Sequence, residues 1–211
     1  MLETFKKLPD NKQSAIFDAA AGIFAQKGYY QANIADICKA AGISNGALYK
    51  YFKNKEDLFI SVAGYGIELM RVELFGRLKE HGSVFNILRN VFEQVLDFLE
   101  HNKNYTLIYL DVGSRSMDKF AYILSEKVEE PARTFWVELV KTGKQNGEIN
   151  KKLNNKSAAY LIDNHLMLFS FSCVSEHHDR RFNIYFGTRN KRLRPREKID
   201  IVMTSLKQLL Q

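Results

Sequence analysis

Apolar residues recur at three- and four-residue spacing through most of the chain, the period of an α-helix with one buried face. Between Lys12 and Lys27 they fall at Ile16, Ala19, Ala20, Ile23 and Phe24. Gly28 ends that run and places Tyr29 to cover a small core. Ile34, Ile37, Cys38 and Ala41 form a second, short stripe. Gly42 follows where a helix end wants positive φ, Ile43 can tuck inward, and Ser44 is a good N-cap. A third stripe then carries Ala47, Leu48 and Tyr51. Two short helices joined by a tight glycine turn predict a helix-turn-helix.

Ahead of these helices, residues 1–11 read as a short lead with Lys6, Lys7 and a Pro9-Asp10 turn. Gly22, inside the first helix, costs stability and reads as room for a close helix contact. After a turn at Lys53-Asn54-Lys55, a long helix is predicted from about Lys55 to Glu80, with no Gly/Ser linker. His81-Gly82-Ser83 breaks the pattern, and a fifth helix runs from Ser83 to about His101. Asn102 to Asn104 is read as another break before a short apolar helix, Tyr105 to Asp111. A longer helix, Met117 to about Asn146, contains Pro131, which predicts a kink. Lys156 to His177 is the next strong helix, Asp179 to Arg194 reads as irregular, and the last helix begins near Pro195. That last helix shows Ile199, Val202, Leu206, Leu209 and Leu210 on one face.

The expected class is therefore all-α, with an N-terminal helix-turn-helix domain at 1–55 and a helical-bundle domain at 56–211, about nine helices in total. Composition agrees: 45% hydrophobic, 26% charged and only three prolines in 211 residues. No apolar run approaches the ~18 residues of a membrane span, and the start lacks a signal pattern, so a cytoplasmic protein with no membrane partner is expected. Cys38 and Cys173 lie in apolar helical patterns and read as small buried thiols rather than a disulfide. The formal net charge is +7, and it is uneven: positive charge sits at both ends while the middle, 56–178, is net acidic. Only the first basic end carries a nucleic-acid-reading motif.

DNA's major groove admits one α-helix, whose N-terminal residues approach base edges. Here those are Asn45, Gly46 and Ala47, following Ser44. Gly46 lets the backbone come close, Ala47 can touch a thymine methyl, and Asn45 can offer an amide to a base or phosphate. Tyr49 and Tyr51 carry hydroxyls suited to phosphate oxygens, and Lys50 supplies charge. Phe52 is read as core. A helix start near Lys55 adds exposed backbone N–H groups. One such helix touches too few bases to specify a site alone. Two copies, about 34 Å apart on successive grooves, solve this and require a palindromic operator.

Residues 15–59 also carry a family signature. Ile16 with Ala19 and Ala20, Phe24, Gly28-Tyr29, Asp36-Ile37, Ala41-Gly42-Ile43-Ser44, Gly46-Ala47-Leu48-Tyr49, Tyr51-Phe52 and Lys55-Glu56 occur in order. This run resembles the N-terminal domain of the tetracycline-repressor (TetR) family. The resemblance covers roughly the first quarter of the chain and implies a transcription regulator, usually a repressor. It adds Asn33 and Lys55 as phosphate clasps, and implies that helices 156–177 and 195–210, each amphipathic, pair two subunits as a four-helix bundle. Three positions depart from the family pattern: Asn45 where lysine is frequent, Asn33 where threonine is frequent, and Ala35 where an arginine often reads a base. Losing that arginine shifts expected discrimination to the third helix and to DNA shape.

The resemblance further implies a small-molecule effector bound in the C-terminal domain. Large aromatics are dense there, and Phe92, Tyr105, Tyr109, Trp136, His165 and Phe169 are the candidate lining residues for a largely apolar ligand, with Tyr122 and Tyr160 among the same excess. Asn164, Asp163 and Glu138 are further polar candidates. His177-His178-Asp179 has no third ligand at metal-binding spacing, so neither a metal nor a cofactor is expected. The basic segment from Arg180 to Arg196 reads as a solvated run, with an acidic ligand such as an acyl-CoA phosphate tail as the sharper alternative. An enzyme would need a nucleophile–base pair, a metal cluster or a phosphate loop, none of which is visible. The closer rival is a DNA-binding regulator with no effector, controlled by a protein partner.

Overall fold

A computed structural model describes residues 1–75, 82–187 and 192–211. Among them are ten α-helices, one 3-10 helix and no strand. The helices are α1 (Glu3–Lys6), α2 (Asp10–Gln31), α3 (Ile34–Ala41), α4 (Asn45–Tyr51), α5 (Lys55–Phe75) and α6 (Val84–Val112), then α7 (Asp118–Gln145), α8 (Asn155–Val174), α9 (Glu176–Phe186) and α10 (Pro195–Leu210). The predicted end of the fourth helix at 76–80, His81, and Arg189 to Lys191 of the basic run lie outside the described residues. No helix among the described residues is long and apolar enough to cross a membrane.

The chain forms two compact units. The first comprises Met1–Leu69 with Asn104–Ser125, and the second Met70–Lys103 with Glu126–Gln211. The division falls inside α5, α6 and α7, so three helices each contribute to both units.

In the first unit, α2 through α5 enclose Ile16, Phe17, Ala20, Phe24, Ile37, Leu48, Phe52, Phe59 and Val62, all buried. Gly28 interrupts α2 with φ 69°, and Tyr29 turns inward edge-on to Phe59 and Phe120 at centroid distances of 5.1 and 4.7 Å. This is the glycine break and aromatic cover read from the sequence. The segment Asn104–Ser125 completes this core with Tyr105, Ile108, Val112, Met117 and Phe120. A close glycine contact occurs at Gly66 and not at Gly22. A Cβ on Gly66 would lie 2.4 Å from the Tyr105 ring, whereas one on Gly22 would meet nothing nearer than 3.7 Å.

The second unit buries Leu88, Val91, Phe92 and Val95 of α6, Trp136 and Val140 of α7, Ile162 and Phe169 of α8, and Ile199, Val202 and Leu206 of α10. Leu209, expected on the buried face of α10, is instead 48% exposed. Cys38 is buried and Cys173 half-buried, and both are free thiols.

Three other readings change. The lead contains α1, because Phe5 is fully buried and draws the segment onto the core. The break at Asn102 is a kink within α6 (φ −123°), not a gap between helices. α7, by contrast, keeps its predicted range, running from Asp118 to Gln145 with Pro131 inside it. Residues 179–186 are helical where an irregular stretch was expected, and the helix predicted to reach His177 ends at Val174, so His177-His178 lie in the first turn of α9. The physical reason is Asp179, whose buried carboxylate ties α9 to Lys198 of α10.

Candidate nucleic-acid interface

The helix-turn-helix is built by short-range hydrogen bonds that its sequence specifies. Asn33 caps α3, its amide oxygen accepting from Ala35 N at 2.9 Å. Gly42 ends α3 in the left-handed region (φ 64°, ψ 32°). Its N–H reaches the Lys39 carbonyl at 3.3 Å and the Ile43 N–H reaches Cys38 at 3.0 Å, the two bonds of a Schellman turn. Ser44 then caps α4, its hydroxyl accepting from Ala47 N at 3.1 Å. The chain reverses with bonds at both helix ends, and these fix the turn between α3 and α4.

α4 is anchored by Leu48, which is 1% exposed, and by Phe52 immediately after it, which is fully buried. Its other side is open. Ser44, Asn45, Gly46, Tyr49 and Lys50 are exposed, Ala47 is half-buried, and Tyr49 is 53% exposed. Tyr49 is therefore not a core residue, while Phe52 is. Tyr51 is half-buried and sits edge-on to Phe5 at 5.7 Å. Asn33 and Ala35 are exposed on the preceding helix. The structure thus brings Ser44, Asn45, Gly46, Tyr49 and Lys50 together on one exposed surface of a two-turn helix.

Lys55 is more committed than the sequence implies. Its ammonium donates to the carbonyls of Tyr30 and Ala32, both at 3.2 Å, and lies 4.7 Å from the Tyr29 ring centroid. Two of its three N–H bonds tie α5 to the end of α2, leaving one to donate outward. The start of α5 is also less open to phosphate than expected. Asn54 Oδ1 accepts from Asp57 N at 2.8 Å, and Glu56 and Asp57 put two carboxylates in the first turn. Asp57's carboxyl is held below its usual range: desolvation pushes it up, but hydrogen bonds to the chain's first amino group and to Lys53 N outweigh that.

The lead residues are the part of this surface that sequence reasoning missed. Leu2 N donates to the Tyr51 carbonyl at 2.8 Å, and the Thr4 hydroxyl donates to the Lys50 carbonyl. The apolar pair Phe5 and Leu8 at helical spacing was the available signal.

The candidate effector residues divide between the units. Phe92 and Phe169 meet edge-on at 5.2 Å in the second unit. There too, Trp136 Nε1 donates to Asp163 Oδ1 at 2.8 Å, and half-buried His165 faces the Leu161 carbonyl through Nδ1 at 2.7 Å. Burial pushes the Asp163 carboxyl up, the Trp136 hydrogen bond pulls it down and the Glu129 charge pushes it up; the net direction is upward. Tyr105 and Tyr109 belong to the first unit. The Tyr105 hydroxyl is spent on Asp18 Oδ1 at 2.7 Å, and burial followed by that carboxylate pushes the phenol far above its usual range. Two further aromatics of the same excess, Tyr122 and Tyr160, are 74% and 71% exposed.

A groove of about 380 Å³ lies between the end of α8, the start of α9 and the start of α10. Its lining includes Ser172, Glu176, Asp179, Arg192, Arg194 and Lys198. Lys198, 1% exposed, donates to the Ser172 carbonyl at 2.7 Å and to Asp179, and Arg192 pairs with both Asp179 and Glu176.

Residues 16–62 match the family described as bacterial regulatory proteins, tetR family. A fatty acid metabolism regulator protein of Bacillus subtilis is 30% identical over 159 residues, 72% of this chain and 77% of that protein. The chain belongs to the TetR family. The repressor KstR2 of Mycolicibacterium smegmatis is 27% identical over 150 residues, covering 69% of this chain and 71% of its own. Among solved structures, the fatty acid degradation regulator FadR of Bacillus halodurans superposes with a TM-score of 0.74 at 22% identity, over 95% of this chain and 96% of that one. FadR of Bacillus subtilis in complex with stearoyl-CoA gives 0.70 at 21%, over 93% and 96%. These likenesses agree with the all-helical fold, and the chain is a DNA-binding transcription regulator like its TetR relatives.

Proposed function

We propose that the protein is a homodimeric, cytoplasmic repressor that binds a palindromic operator and is released by an amphipathic, largely apolar effector of the fatty-acyl-CoA class. The DNA contacts are assigned to Asn33, Ser44, Asn45, Gly46, Ala47, Tyr49, Lys50, Tyr51 and Lys55. The observation that carries this reading is the exposed surface of α4, held in position by the Gly42 turn and the Ser44 cap. A helix with a buried Leu48 side and a polar, Gly46-containing side of this size fits a major groove.

Dimerisation is assigned to α8 and α10. Between them they leave Tyr160 (71%), Leu168 (42%) and Leu209 (48%) exposed, large apolar groups that gain by being covered. The effector class is supported by the relatives: the B. subtilis protein at 30% identity is a fatty acid metabolism regulator, and FadR from that organism takes stearoyl-CoA. Phe92, Trp136, His165 and Phe169 of the second unit are the assigned neighbours of the acyl chain. Release follows if the effector binds more tightly to the arrangement in which the two copies of α4 no longer match successive grooves. A swing from 1:99 to 99:1 needs a differential affinity of about 10⁴. α5 offers the path, since one continuous helix runs from Lys55 into the second unit.

Fluorescence anisotropy with DNA flanking the gene tests both halves. Tyr49→Ala with Lys50→Ala weakens operator binding by about 1–3 kcal/mol for each side chain that had touched the duplex, while the dimer measured by light scattering stays intact. Unchanged affinity removes the site assignment. Palmitoyl-CoA or stearoyl-CoA releases the wild-type complex at micromolar concentration; no release removes the effector class and leaves control by a protein partner.

A further inference from the structure

We propose that the N-terminal arm, residues 2–7, is a working part of the DNA interface: Leu2 and Thr4 hold the C-terminal end of the recognition helix, and Lys7 adds a backbone-phosphate contact. This rests on the reading of α4 as the recognition helix.

α4 has only seven residues, too few to be stable alone. Its N-terminal end is defined by Ser44, but its last carbonyls have no partners within the helix. The arm supplies them. Leu2 N donates to the Tyr51 carbonyl at 2.8 Å and the Thr4 hydroxyl donates to the Lys50 carbonyl, while Phe52 N takes the Leu48 carbonyl at 2.9 Å. These bonds attach the arm to the backbone of Lys50 and Tyr51, two residues assigned to DNA contact. Phe5 locks the attachment: it is fully buried, with its ring 4.8 Å from both Phe17 and Phe52. Solvated chain ends do not have this geometry.

The same geometry places a charge. α1 runs from Glu3 to Lys6, and Lys7 continues in helical conformation (φ −82°, ψ −8°). Residues three apart share a helix face, so Lys7 lies on the side of the arm that carries Thr4, whose hydroxyl reaches the Lys50 carbonyl. Glu3 and Lys6 are likewise three apart, and they pair with each other at 2.7 Å. Lys7 and Lys50 are both exposed. An arm fastened to the recognition helix therefore presents an ammonium beside it, where a duplex seated on α4 brings a phosphate.

The test is the salt dependence of operator affinity for four variants of the full chain, with thermal melting of each. Removing one phosphate interaction makes the slope of log K against log salt shallower by about 0.9, which is about an eightfold loss at 0.1 M salt. Lys7→Gln shows that change with an unaltered melting temperature. Thr4→Val, at an exposed position, lowers affinity several-fold without altering either the slope or the melting temperature, and Thr4→Ser restores it. Wild-type slope and affinity in Lys7→Gln, or wild-type affinity in Thr4→Val, overturns the proposal. So does an affinity loss in Thr4→Val that comes with a fall in melting temperature, since the arm then only supports the core. Lys50→Gln is the control: if it too leaves affinity unchanged, the fault lies with α4 as the DNA-reading helix rather than with the arm.

Discussion

The two ends of this chain are both basic, yet the structure uses their charges in opposite ways. In the first unit Lys7, Lys39, Lys50 and Lys53 stand exposed on or near a helix-turn-helix. In the second unit Lys198 is buried against Asp179 and the Ser172 carbonyl, and Arg192 bridges Asp179 and Glu176. Desolvation pushes the Asp179 carboxyl up, but the hydrogen bond and charge of Lys198 and the charge of Arg192 outweigh it, so the group is held below its usual range. The first set of cations is available to an external anion, and the second is largely consumed by the fold. Charge counted along a sequence cannot separate these cases, because a buried carboxylate decides the second.

The largest effect expected from this contrast is Lys198→Ala. It leaves the buried Asp179 carboxylate with Arg192 as its one charged partner and the Asn183 amide at 3.1 Å, and removing one partner of a buried pair costs about 3–5 kcal/mol. Urea melts should show a lower midpoint. Replacing both partners, Lys198→Met with Asp179→Leu, should recover most of the loss; no recovery would mean that the pair does more than hold α9. Acid should imitate the single variant. A depressed carboxyl contributes stability that is complete above its unfolded value of about 3.9 and fades as pH falls through the lower folded value. Urea midpoints followed from pH 6 to pH 3 should therefore drop more for wild type than for the double variant. By contrast, Lys7→Gln and Lys50→Gln should leave stability within about 0.5 kcal/mol, as exposed substitutions do.

An intermediate effect is expected at Ser44. Removing this cap with alanine should cost about 1 kcal/mol in a urea melt, and should weaken operator binding beyond the stability loss, because the cap sets the start of α4. The smallest effect concerns Asp163. A carboxyl raised by burial penalises the folded state at neutral pH, because the unfolded chain ionises first. Asp163→Asn keeps an oxygen for Trp136 Nε1 and should melt slightly higher than wild type at pH 7. That advantage should vanish below about pH 4, where the wild-type carboxyl is protonated in both states.

The first unit's site was largely legible because it is made of local rules. Gly42 takes positive φ, Ser44 and Asn33 cap, and Leu48 with Phe52 bury one side, each a consequence of residues within four positions. What was missed there is long-range. Phe5 reaches Phe17 and Phe52, and Thr4 reaches Lys50, 46 positions away. The second unit was legible only as helices. The aromatic excess in 84–178 included Tyr122 and Tyr160, which face outward, and Tyr105, whose hydroxyl goes to Asp18 in the first unit. Periodicity finds the apolar stripe of a helix; it does not say which other helix covers it.

Helix positions, the turn between α3 and α4, and the exposed polar side of α4 were thus contained in the order of residues, since backbone conformation and capping act within one helical turn. Tertiary structure alone decided that the lead bonds the last carbonyls of α4, that Gly66 rather than Gly22 lets two helices approach closely, and that Lys198 is a buried structural cation. Each depends on which groups meet across the chain, and burial, pairing and close packing exist only once they have met.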